Sequence, residues 1–167
     1  MGMASEPIDL RRMGVEIRGQ RYALGELLLA GGGLLQLLVT VLGLTSWVPW
    51  FTLDALGVTV RTEGAGLLGW LALCCTLGAV WTTLALRVAG NRLPKLPFKR
   101  TIVPLAFAGL SAASLLVRYT LGESADGTAV ASWNRAFGAT IGALAGLVVL
   151  AGAVLEFVRD PDPFITE

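Results

Sequence analysis

Two charged residues inside otherwise apolar runs, Glu26 and Arg118, are the residues of this chain best suited to chemistry. A carboxylate within a membrane-length apolar run is a candidate for proton or cation coupling, and an arginine there is a candidate counter-ion or substrate site. Each lies about one helical turn from the end of its run, which favours a plainer role. Glu26 follows Arg21 near a helix N-terminus, where the dipole stabilises negative charge, and anchoring is the expectation. Arg118 lies near a helix C-terminus, and its long stem can lift the guanidinium to the interface, so snorkelling is the expectation. The remaining inventory is thin. The chain has no histidine, and its two cysteines, Cys74 and Cys75, are adjacent in an apolar run. Neighbours on a helix diverge by about 100°, so an ordinary disulfide is not expected between them. The usual ligands of haem, zinc and iron-sulfur clusters are missing, as is a histidine base to activate a nucleophile. The expectation is a protein that is not an enzyme and carries neither metal nor cofactor.

The elements that hold these residues are membrane spans. Of the 167 residues, 54% are hydrophobic and only 15% are charged, against roughly 25% charged in a soluble domain. The expected fold is an all-α membrane protein of one domain, with spans at about 22–44, 66–88, 102–121 and 135–158. The first run, about 23 residues long, exceeds the apolar segment of a cleaved signal peptide and lacks an Ala-x-Ala exit. Between the second and third spans lies the basic stretch Arg87 to Arg100, with five of the thirteen Lys and Arg residues. Four more precede the first span and Arg159 follows the fourth, whereas Arg61, Arg118 and Arg135 fall on the other side. This bias places both termini and the basic stretch in the cytoplasm. Arg92, Lys95, Lys99 and Arg100 are then placed to attract anionic lipid headgroups at around 1 kcal/mol each. A net charge of +1, grouped by membrane side, gives no ground for nucleic-acid binding.

Small residues mark where helices meet. Gly31, Gly32 and Gly33 in the first span, Gly109 in the third, and Gly138, Gly142 and Gly146 in the fourth are expected at close helix contacts. The last three are spaced by four and make a groove along one face, whose occupant, from this chain or another, the spacing leaves open. Gln36 and Thr40 share a face and can bond across to a neighbour. Trp47, Pro49 and Trp50 end the first span as an interfacial aromatic belt. The alternation around Leu56-Gly57 predicts a small outer hairpin between the first and second spans. Trp70 and Trp81 serve as depth markers in the second span. Thr101 is expected to cap the third span, with Pro104 in its first turn, and Ser132 or Asn134 to cap the fourth. The first 21 residues read as a cytoplasmic tail, partly ordered or forming a short surface-lying helix.

Arg21-Tyr-Ala-Leu-Gly-Glu26, the Gly31 to Gly33 cluster, Trp47-Val-Pro-Trp50 and Arg118-Tyr119 together resemble a group of small four-span actinobacterial membrane proteins. The resemblance covers most of the span pattern and implies a multi-pass protein of the bacterial plasma membrane. It brings no activity with it. Two functions compete. One is a non-enzymatic accessory or assembly subunit that packs against a membrane-protein partner or a second copy. The other is a small oligomeric transporter or channel using Glu26 and Arg118. Small multidrug exporters carry a carboxylate in the first of four helices, but this chain is longer and sets Glu26 nearer the edge. Tight-junction-like four-span proteins add a cysteine pair in the outer loop that this chain lacks.

Overall fold

The computed structural model describes residues 14–17, 20–44, 48–55, 58–61, 66–89, 99–121 and 133–159. Four helices dominate: α1 (Leu24–Gly43), α2 (Gly66–Ala89), α3 (Ile102–Leu121) and α4 (Phe137–Arg159). Each is long and apolar enough to cross a membrane, and the chain is a four-helix, multi-pass membrane protein. The helices close into a ring. α1 lies between α2 and α4, α3 lies opposite it, and α1 leans on α4 far more than on α2.

Five short strands cap the two ends of this ring. β1 (Gly14–Ile17) and β2 (Gln20–Ala23) pair antiparallel at one end, here the hairpin end. At the other, the sheet end, β3 (Phe51–Ala55) is flanked by β4 (Val58–Arg61) and β5 (Trp133–Arg135), both antiparallel to it. In the register of β3 and β4, Ala55 faces Val58, and the expected hairpin centre, Leu56-Gly57, lies outside the described residues. The strands shift two boundaries. Tyr22 and Ala23 belong to β2 rather than to the first span, and α4 begins at Phe137 rather than Arg135. Asn134 is therefore a strand residue and not the cap of α4, while Ser132 lies outside the described residues. The surface helix considered for the tail is not what residues 14–17 form. Thr101 stands directly before α3, its carbonyl accepting the Leu105 N–H at 3.3 Å, and Pro104 is buried in the first turn, where a missing N–H costs nothing.

Two apolar clusters fill the ring. At the sheet end Val39, Trp50, Phe51, Ala72, Leu115 and Ala139 pack together. Towards the hairpin end Leu29, Ala79, Ala108, Val149 and Ala153 do so. Many of these residues are small, so the helices approach closely. A methyl group built at Gly25 of α1 would lie 2.8 Å from the carbonyl oxygen of Gly152 on α4, which is near backbone-to-backbone contact.

Candidate functional site

Between the two apolar clusters lies a polar layer. Gln36 of α1, Thr76 of α2 and Ser111 of α3 are each 0% exposed. The Thr76 hydroxyl donates to Gln36 Oε1 at 2.6 Å and lies 2.7 Å from Ser111 Oγ, so Ser111 donates to Thr76. Three helices are thus tied at mid-length without any ionised group, by bonds that inside a membrane contribute about 0.6–2 kcal/mol each. Gln36 Nε2 and Thr40 Oγ1 have no hydrogen-bond partner among the described residues. Thr40 therefore shares the layer's face without joining its bonds.

At the hairpin end Glu26 is held twice. Its Oε2 accepts the Ala23 N–H at 3.0 Å, satisfying a backbone donor at the start of α1, and pairs with Arg87 Nη1 at 2.5 Å. The cation it meets is on α2: Arg87 belongs to the last turn of that helix, not to the basic loop. The Arg87 guanidinium also lies 4.4 Å from the Tyr22 ring centroid, a cation–π contact. Glu156 of α4 comes in beside them, 3.7 Å from Arg159 Nη1 and close against Gly25. Neither Arg87 as Glu26's partner nor Glu156 stands out in the sequence. The usable signal was topological, since the start of α1 and the ends of α2 and α4 must share one membrane side. Below the pair, a cavity of about 200 Å³ opens between α1 and α2, walled by Leu27, Leu29, Ala30, Val80, Thr83 and Leu84 with Tyr22, Glu26 and Arg87 at its mouth.

Arg118 does not snorkel. It is 7% exposed, with its guanidinium 5.1 Å from the Phe51 ring and 5.7 Å from the Trp50 ring. The reason is the sheet end itself: residues 50 and 51 fold over the end of α3, and a weakly hydrated planar cation stacks well on aromatic faces. On its other side is Gly66, the first residue of α2, with φ +60. A methyl group there would lie 2.5 Å from Arg118 Nη1, so both the backbone angle and the space call for glycine.

The glycines expected at helix contacts have divided fates. Gly32 faces Val148 and Val149 of α4, and Gly33 faces Thr76 and Val80 of α2. Gly146 faces Leu115 and Ala112 of α3. Gly138 and Gly142 do not receive a helix: the Trp50 indole lies over them, with Pro49 accepting the Gly138 N–H at 3.0 Å. Trp50 is 1% exposed, so it is a core residue rather than a belt residue. Gly31 and Gly109 meet nothing within 4 Å among the described residues. Gly31 is turned about 100° from Gly32, away from α4. Lys99 stands 5.0 Å over the Phe157 ring, and the Arg100 carbonyl accepts the Val103 N–H. Trp47, Arg92 and Lys95 lie outside the described residues. Cys75 is buried and Cys74 faces outward, both as free thiols. Among the described residues no group of three His, Cys, Asp or Glu could hold a metal ion. Compared with known protein families and with curated proteins, the chain matches none.

Proposed function

We propose that the protein is a non-enzymatic accessory or assembly subunit of a bacterial plasma-membrane complex, with both termini and the hairpin end in the cytoplasm. The observation that carries this reading is the pair of open glycines. A glycine in a helix interior costs about 0.5–1 kcal/mol relative to alanine, and Gly31 and Gly109 meet no packing neighbour among the described residues in return. Such positions let another backbone approach closely. The transporter reading loses support at each charged site. Glu26 is engaged by Arg87 and Ala23, Arg118 is covered by Phe51 and Trp50, and the polar layer between them is fully buried. Transport would require opening all three.

The double variant Gly31→Leu, Gly109→Leu is expected to fold and purify as the native chain does, yet to lose stoichiometric co-purification with its complex in mild detergent. Unchanged co-purification, or substrate-dependent proton flux through the native protein alone in proteoliposomes, would refute the subunit reading. Orientation has its own readout. Cysteines placed at Ser124 are expected to label from outside intact cells and those at Ser5 only after permeabilisation; labelling of Ser5 in intact cells would invert the topology.

A further inference from the structure

The slot between α1 and α2 does something the subunit reading does not require. We propose that it holds one acyl chain of an anionic phospholipid, with the phosphate at Arg87. Three observations carry the assignment. The slot lies between α1 and α2, the adjacent helices that pack least closely on each other, and its walls include the apolar Leu27, Ala30, Val80 and Leu84. Its volume of about 200 Å³ lies below the roughly 300–1,000 Å³ of pockets that take drug-sized ligands. A helix, about 10 Å across, does not enter it. A stretch of a single hydrocarbon chain does.

Charge then selects the headgroup. The described residues at the hairpin end include five cations, Arg21, Arg87, Lys99, Arg100 and Arg159, against three carboxylates, Glu16, Glu26 and Glu156. The positive surplus attracts a phosphate-bearing lipid from the leaflet on that side. Arg87 is the cation of the slot's lining; it pairs there with Glu26, and its side chain is 31% exposed. Tyr22, beside it, presents an amphipathic ring at the depth where headgroup meets chain. The site thus differs from the diffuse attraction of a basic loop: it has a cavity for the tail and one cation for the head.

The test uses the full chain in bilayer nanodiscs of equal phosphatidylglycerol and phosphatidylcholine, released and weighed by native mass spectrometry. One phosphatidylglycerol per chain is expected to survive release, about fivefold over phosphatidylcholine for a single headgroup cation. Ala30→Phe fills the slot without touching the charges and is expected to abolish retention. Leu147→Phe, on the exposed face of α4, keeps it. Arg87→Gln is expected to lower phosphatidylglycerol to the level of phosphatidylcholine, and Arg87→Lys to restore the preference. Equal retention in Ala30→Phe overturns the proposal, as does equal retention of the two lipids by the native chain. So does a second copy of the chain, found as a dimer that Ala30→Phe dissociates.

Discussion

Gly142→Leu is expected to destabilise the isolated protein by about 3–5 kcal/mol, the cost of deleting a buried tryptophan, because the indole of Trp50 has to leave. A methyl group built on Gly142 lies 2.8 Å from Trp50 Cη2. The ring's other edge already fills the space beside Gly43, where a built methyl group would stand 2.6 Å from its Nε1. Trp50 is wedged between α1 and α4, and its own backbone is fixed there by the Ala136 N–H donating to its carbonyl at 3.0 Å. Thermal or denaturant unfolding in mild detergent measures the loss. Gly109→Leu, which enters open space, is the control and should stay within about 0.5 kcal/mol of native. If the mechanism is the clash, Trp50→Ala placed in the Gly142→Leu background should cost much less than it does alone. Equal costs in both backgrounds would show that the glycine matters for another reason.

The four spans were legible because length and apolarity are properties of contiguous residues, and α2, with its first residue at Gly66, needed no tertiary information. Glycine spacing was legible as a groove, but spacing says nothing about what fills it. Trp50 was misplaced for a physical reason. A tryptophan after a span and beside Pro49 has the composition of an interfacial belt, and only the return of β3 over the end of α4 turns it inward. The tail held a readable signal that periodicity arguments passed over: Val15 and Ile17 alternate, and Arg18-Gly19 separates them from a second short run. Structure makes those two runs β1 and β2.

The neighbours of the charged residues were not legible. Glu26 was expected to anchor near the start of its helix, and the arginine it pairs with, Arg87, is sixty-one positions away on α2. The pair ties α1 to α2, which pack on each other less than either does on its other neighbour in the ring. Such pairings depend on which helices are adjacent in the ring, and hydropathy carries no information about adjacency. The same holds for the polar layer. Gln36 was legible as a bonding residue, but nothing in the sequence singles out Ser111 on α3, and its bond to Thr76 emerges from the helix order.

Arg118→Ala is expected to loosen the sheet end while leaving the hairpin end intact. The guanidinium touches three elements at once: the end of α3 that carries it, the aromatic residues at the start of β3, and Gly66 at the start of α2. Removing it leaves a cavity under Phe51 and takes away a cation–π contact, together about 2–5 kcal/mol by analogy with other large-to-small core substitutions. Hydrogen exchange localises the effect. Amides of residues 50–55, 58–61 and 133–135 should exchange faster in Arg118→Ala, whereas those of 14–17 and 20–23 should not change. Gly66→Ala should give the same pattern from the other side, since its methyl group would push the guanidinium out and strain a positive φ. Arg118→Lys should recover only part of the protection, because an ammonium keeps the charge but not the planar stack. An arginine that merely reached for the interface would behave differently: its loss would leave exchange at the sheet end unchanged and stability within about 0.5 kcal/mol. The contrast decides whether this cation, set in a membrane span, ties the sheet to the bundle or only marks the membrane's edge.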